Sequence, residues 1–237
     1  MDIEKIWNES EWPTEARQII NGLTQFQKDS KIILILRHSQ RDEPENLEEM
    51  HKLRLTPDGH TIAKKFGEEL PNDRPIRLFH SVIWRCQETA EDILSGFEAI
   101  GGKGKLRGVF APLYDLETAP KFFSNLFNNY TGDQFIYRWV AGLYPQDQIT
   151  SLQRYCQKAA KLIWKEYKKA PDKNIDIHIT HDLFIVALKL GWFGIPPRKN
   201  WVSFLGGFAL GFEKNSMLLL DSDGIVNTEI PYWWEIS

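Results

Sequence analysis

Two histidines and three arginines in this sequence follow β-rich apolar runs, either directly or within a few residues. The run IILIL stops at Arg37 and His38, with Arg41 just beyond. The run IRLFH leads to Ser81, with Arg85 four residues on, and IDIHIT leads to His181 and Asp182. Guanidinium groups meet phosphate oxygens as planar forks and stay charged at any relevant pH, so three of them suit a phosphoryl dianion better than lysines would. A neutral imidazole can attack phosphorus and split one difficult displacement into two easier ones through a phosphohistidine. The remaining work is positioning and charge stabilisation, which the arginines and a second, donating histidine can supply. Asp182 is then a candidate proton donor. No metal or other cofactor is expected, because no cluster of aspartates and histidines has the spacing of a two-metal site.

The elements that must position these residues alternate between strand and helix. Lys31 to Leu36 reads as a central parallel strand buried on both faces. Thr56-Pro57-Asp58-Gly59 places a capping hydroxyl and a first-turn proline before Ile62, Ala63, Phe66 and Leu70, which recur at helical spacing. A strand over Ile76 to Ser81, a helix carrying Cys86, Ala90, Ile93, Leu94 and Phe97, and a short strand over Leu106 to Phe110 follow. The longest amphipathic helix, with its expected start at Asp147, runs through Leu152, Cys156, Ala159, Ala160, Ile163 and Tyr167. The strand Ile175 to Thr180 and a largely buried helix LFIVALKL come next. GGFALGF and SMLLL read as a hairpin, and Asp223-Gly224 marks a second turn.

The fold class is therefore α/β: a mostly parallel central sheet with helices on both faces and an antiparallel edge hairpin near the C-terminus. A single domain over 1–237 is expected, with residues 1–30 as an N-terminal appendage. The stretch 111–145 is dense in aromatics and reads as a small helical insertion with its own mini-core. Its position between a strand and the long helix also suits a cap over the active site. Ligands of open α/β sheets bind beyond the carboxyl ends of the strands, which is where the arginines and histidines converge.

Composition narrows the partners. The chain has 237 residues, 42% of them hydrophobic, enough for a sizeable core. A net charge of −3 and a pI near 6.1 provide no basic surface for nucleic acid or an anionic membrane. The acidic start MDIEKIWNESEW lacks the basic and apolar regions of a secretory signal, and no apolar run is long enough to span a bilayer, so a cytoplasmic protein acting on a small phosphate ester is expected. Cys86 and Cys156 have no metal-ligand spacing and are expected as core thiols. Oligomeric state is not legible.

At this point RHSQRDEP resembles the RHGxRxP motif of the histidine phosphatase superfamily, in its acid phosphatase and phytase branch. LTPDGH is similar to the family's LTxxG helix start, SVIWRCQETA to its SxxxRxxxTA segment, and THD to the HD dipeptide of that branch. FIYRWVAGLYPQDQI resembles the tryptophan-and-glycine stretch of the compact, mutase-like branch. The likeness spans about Lys31 to Phe212. It implies that His38 is the nucleophile, that Arg37, Arg41 and Arg85 hold the phosphoryl group, and that His181 stabilises the transferring oxygens. Ser39 stands where the family has glycine, so either the turn is ordinary here or the loop has shifted.

The branches differ in the proton donor. The acid phosphatase branch implies Asp182, whereas the compact branch uses a carboxylate after the third strand, where Asp115 and Glu117 stand. Asp182 is favoured, the competing role being a cap of the following helix. The leading function is hydrolysis of phosphate monoesters through a phosphohistidine. Two alternatives are phosphoglycerate mutase-type transfer and a catalytically silent phosphate-binding protein of the same fold. His51, His60, His80 and His178 are given no role, His178 being read as a side chain on one sheet face.

Overall fold

The computed structural model describes residues 3–43, 47–119, 122–127, 129–197 and 201–234. Seven strands form one sheet: β1 (Ile32–Arg37), β2 (Ile76–His80), β3 (Gly104–Val109), β4 (Ile175–Thr180), β5 (Gly207–Phe212), β6 (Met217–Asp221) and β7 (Gly224–Thr228). Their order is β3-β2-β4-β1-β5-β6-β7, with the first four parallel and the last three antiparallel. The expected edge hairpin is present as β5 and β6. The Asp223-Gly224 turn adds β7, a third antiparallel strand beyond it.

Alternation of side chains explains why β1 is apolar throughout. Ile32, Leu34 and Leu36 enter one core with α1 (Ile3–Glu9), α2 (Thr14–Leu23), α3 (Pro57–Glu68) and α4 (Trp84–Ala99). Ile33 and Ile35 enter the other, with α5 (Phe122–Phe127), α6 (Gly132–Val140), α7 (Leu152–Lys168) and α8 (Asp182–Phe193). On β4 the isoleucines Ile175, Ile177 and Ile179 join the first core, so Asp176, His178 and Thr180 face the opposite side. Each has its own answer to burial. Asp176 accepts from Arg77 Nε at 2.7 Å, Thr180 Oγ1 donates to Leu113 O at 2.6 Å, and His178 stacks on Phe79 with ring centroids 4.7 Å apart.

The N-terminal helices, expected as an appendage, share the first core. Ala16, Ile19 and Leu23 of α2 are buried there, and the helix packs on β5 and β6. The start of α7 departs from Asp147. The helix begins at Leu152 with Ser151 as cap, its Oγ accepting from Arg154 N at 3.3 Å. Pro145 to Gln148 instead closes a turn of its own, Gln148 N donating to Pro145 O at 3.0 Å.

The 111–145 insertion holds α5 and α6, and its rings continue into the main core rather than forming a separate one. Phe135 stacks on Trp139 at 5.4 Å, Trp139 meets Tyr155 of α7 at 5.8 Å, and Tyr155 meets Phe184 of α8 at 5.9 Å. Helix α5 also packs against a 3-10 turn, Leu47–Lys52, that borders the site described next.

Candidate active site

Strand register brings the chemistry together. Arg37 lies opposite Thr180 across the β1–β4 ladder, and His80 lies opposite Ile179 across the β2–β4 ladder. The residues that follow, His38, His181 and Ser81, therefore leave the sheet within one residue of the same level. His38 N donates to Thr180 O at 2.9 Å and Ser81 N to Ile179 O at 3.0 Å, so two of these exits are tied to the neighbouring strand.

The rings of His38 and His181 meet edge to face with centroids 5.4 Å apart. Arg85, from the first turn of α4, lies against both. Its Nε donates to His38 Nε2 at 2.9 Å, its Nη2 is 3.3 Å from His181 Nδ1, and its Nη1 donates to Met50 O at 2.8 Å. A guanidinium can only donate, so His38 Nε2 and His181 Nδ1 are both acceptors. The remaining nitrogens then carry the protons: His38 Nδ1 donates to Ser39 O at 2.7 Å, and His181 Nε2 faces Ser81 Oγ at 3.1 Å. Both imidazoles are held well below their usual pKa, first by burial and then by neighbouring charge: His181, Arg85 and Arg37 act on His38, and Arg85, Arg37 and Arg41 on His181. His38 is thus neutral and fixed in tautomer, with Nε2 as its unprotonated nitrogen.

Arg37 donates to Val202 O at 2.6 Å, lies over the Phe204 ring at 4.2 Å, and pairs with Asp182 Oδ2 at 3.0 Å. Burial lowers its pKa, with Asp182 opposing. Arg41 donates to Asp42 O at 2.6 Å and reaches Glu43 at 3.6 Å. The Nε groups of both Arg37 and Arg41 are buried without a hydrogen-bond partner among the described residues. Buried donors of this kind are costly unless an acceptor serves them, and phosphoryl oxygens are acceptors.

The loop after His38 is held from two helices. Ser39 N donates to Thr89 Oγ1 at 2.9 Å, and the same hydroxyl donates to Arg85 O at 2.7 Å, so α4 anchors His38 and Arg85 through one side chain. Ser39 Oγ donates to Gly59 O at 2.7 Å. Ser39 is not among the residues with positive φ, so its backbone is ordinary and serine introduces no strain. Gly59 is required for contact: a Cβ there would stand 2.2 Å from Gln40 O. Thr56 caps α3, its Oγ1 accepting from Gly59 N at 2.9 Å, and its N donates to Gln40 O at 3.0 Å.

Asp182 is the first residue of α8, and both its oxygens are engaged. Oδ1 accepts from Leu183 N at 2.8 Å and Oδ2 meets Arg37. Asp115 and Glu117 are tied to Lys158 of α7 at 3.8 and 2.7 Å. The link to Lys158 lowers the Glu117 pKa. The His80 ring turns to the backbone of its neighbour, Nδ1 lying 2.8 Å from Ser81 O. His60 pairs with Asp92 of α4 at 2.7 Å. Both cysteines are buried, and burial pushes the Cys86 thiol up to about 12.

Phe204, Thr89, Ser81 and the carbonyls of Met50 and Val202 are parts of the site to which sequence reasoning assigned no task. Thr89 and Ser81 had a signal, since both lie within the SVIWRCQETA motif. Phe204 and Val202 sit in irregular chain and Met50 in a short 3-10 turn, where no periodicity marks them.

Two imidazoles and three guanidiniums thus gather at the carboxyl edge of an α/β sheet. The chain belongs to the histidine phosphatase superfamily, branch 1, whose profile matches residues 33–206. The profile that matches is that of branch 1; the acid phosphatase branch rests on motif resemblance alone, the His181-Asp182 dipeptide included. No curated protein matches the chain by sequence. Among solved structures it is similar to a mycobacterial glucosyl-3-phosphoglycerate phosphatase, at 17% identity and TM-score 0.54, covering 84% of this chain and 96% of that one. It is also similar to a phosphoserine phosphatase from Entamoeba histolytica in complex with 3-phosphoglyceric acid, at 14% identity and TM-score 0.50, covering 86% and 99%. At such identities the likeness shows the fold. No helix of the described residues is long and apolar enough to cross a membrane.

Proposed function

We propose that this chain hydrolyses small phosphate monoesters through a phosphohistidine on His38. The observation that carries the reading is the pair of bonds on His38, Nδ1 to Ser39 O and Nε2 from Arg85, which orients a neutral imidazole with its lone pair toward the guanidinium cluster. Nε2 attacks phosphorus, the ester P–O bond breaks, and the departing oxygen takes a proton from Asp182. Water then attacks the phosphohistidine, Asp182 recovers a proton, and inorganic phosphate leaves. Arg37, Arg41, Arg85 and His181 hold the equatorial oxygens throughout. The relatives whose names state a substrate act on phosphate monoesters, which agrees with this substrate class.

A second reading of the donor has an observation in its favour. The segment after β3 is bound to the end of β4 by the Thr180 bond to Leu113 O, which sets Asp115 two residues from the β4 exit, whereas both Asp182 oxygens already have partners. Asp115 is then the acid and Asp182 holds Arg37.

Hydrolysis of p-nitrophenyl phosphate by the pure protein, in EDTA and compared with His38→Ala, tests the hydrolase reading. Turnover in EDTA that vanishes in the variant is expected. Binding of phosphate without turnover would favour the silent phosphate-binding protein.

A further inference from the structure

Ser81 ends the β2 exit and opens the motif that carries Arg85, yet transfer through His38 gives it no task. Its hydroxyl lies 3.1 Å from His181 Nε2, and Ile83 N donates to it at 3.4 Å. On the opposite side of the ring, Arg85 Nη2 faces Nδ1 at 3.3 Å, and the same guanidinium contacts His38. Nδ1 is therefore the nitrogen on the phosphoryl side, and in this structure it is an acceptor.

Phosphoryl oxygens are acceptors too, so a His181 that serves them must present an N–H from Nδ1. Its proton state has to change when a phosphoryl group enters. The ring can gain a proton at Nδ1 while Nε2–H stays on Ser81 Oγ. Alternatively the Ser81 O–H turns to donate to Nε2 and the ring proton moves to Nδ1. A hydroxyl serves both arrangements because it donates and accepts. Cys86 Sγ, 3.7 Å from Nε2 and 3.7 Å from Thr180 O, is a weak partner by comparison. The other groups facing His181 are the His38 ring at 5.4 Å, Phe184 at 6.0 Å, and the charges of Arg37, Arg41 and Arg85, the last bonded at Nδ1.

We propose that Ser81 is a positioning residue for His181: its hydroxyl sets which imidazole nitrogen carries the proton at rest and lets Nδ1 become a donor when a phosphoryl group arrives. The kinetic consequence rests on the phosphatase reading above, whereas the change of proton position does not.

The test is a long-range proton–nitrogen spectrum of the imidazoles, assigned with His181→Gln and recorded with and without inorganic phosphate. The wild-type protein is expected to show His181 protonated on Nε2 alone, and to acquire a proton at Nδ1 with phosphate. Ser81→Ala should lose the single resting tautomer, and Ser81→Thr should restore it. In kinetics with p-nitrophenyl phosphate, Ser81→Ala should lose about tenfold or more in kcat, with the alkaline limb of its pH profile moved to lower pH. Ser81→Thr should recover both. Unchanged His181 resonances and an unchanged pH profile in Ser81→Ala would overturn the proposal, even if kcat fell through lost packing. A phosphate-induced shift of the proton in a protein without hydrolytic activity would sink the hydrolase reading and leave the role of Ser81 standing.

Discussion

Arg85 Nε donates to His38 Nε2 at 2.9 Å, so the one basic nitrogen of the buried imidazole faces a guanidinium from the adjacent helix. The contact keeps the ring neutral and aimed. It also makes Arg85 the common neighbour of both histidines, since its Nη2 reaches His181. An entering phosphoryl group would exchange the Arg85–His38 bond for bonds from Arg85 to its own oxygens. In the proposed mechanism, nucleophile and clamp are two states of one hydrogen-bonded cluster.

Arg85→Lys should be damaging although the charge is kept. The guanidinium serves His38, His181 and Met50 O from three nitrogens, and one ammonium on a flexible stem cannot hold that fork. A loss of about tenfold or more in kcat/KM is expected, equivalent to about 1.4 kcal/mol of transition-state stabilisation. Steady-state kinetics at fixed pH checks it, and unchanged values would remove Arg85 from the phosphoryl site.

Restoring the family glycine at position 39 should not help. Ser39 has ordinary φ, donates through Oγ to Gly59 O, and takes no strain relief from glycine. Ser39→Gly is expected to lower stability by about 1 kcal/mol through the lost bond and the added chain entropy. Gly59→Ala should cost more, about 1–3 kcal/mol, because its Cβ would collide with Gln40 O and push the start of α3 from the nucleophile loop. Urea melts of the two variants give the order, and activity should fall with Gly59→Ala.

Acid should weaken the fold through His178. Burial pushes its pKa down to about 3, with Arg77 adding to the effect, and neither ring nitrogen has a partner among the described residues. The unfolded chain binds its proton near pH 6.5 and the folded chain does not. Stability is therefore complete above pH 6.5 and declines as pH falls toward 3, by about 2 kcal/mol at pH 5 from this residue alone. His178→Phe, stacked in the same slot beside Phe79 and Phe110, should flatten the fall in Tm between pH 7 and pH 5. An identical slope in the variant would assign the acid sensitivity to the other buried histidines.

The strand exits were legible because the β-rich segments end at Arg37, His80 and Thr180, and parallel pairing then brings the next residues close together. The cap of α3 was legible for a similar local reason, as Thr56 and Pro57 each act within one turn. The start of α7 was not, since Asp147 and Ser151 are both capping residues and only tertiary contacts choose between them. Strand β7 is half-exposed and short, with too little apolar alternation to announce itself. Arg37 and Asp182 were both singled out, but their pairing depends on how β1 and β4 lie side by side, and no local pattern records that distance. Phe204 escaped for the same reason: its contacts with Arg37 and His38 join loops far apart in sequence.

The proton donor can be separated from a mere anchor by the leaving group. General-acid help matters for poor leaving groups and little for p-nitrophenolate, so loss of the donor should depress kcat for alkyl phosphates far more than for p-nitrophenyl phosphate. Asp182→Asn is expected to show this selective loss. Loss with both substrates in Asp182→Asn, and the selective pattern in Asp115→Asn or Glu117→Gln, would leave Asp182 as the partner of Arg37 and transfer the role.

The covalent intermediate is the most direct test. Protein quenched briefly in acid during turnover of a phosphorus-labelled ester should retain label on His38, and that label should survive alkali and be lost in prolonged acid, as a phosphoramidate is. His38→Ala should carry none. Label that persists in His38→Ala, or label stable to acid and lost in alkali, would contradict nucleophilic attack by His38.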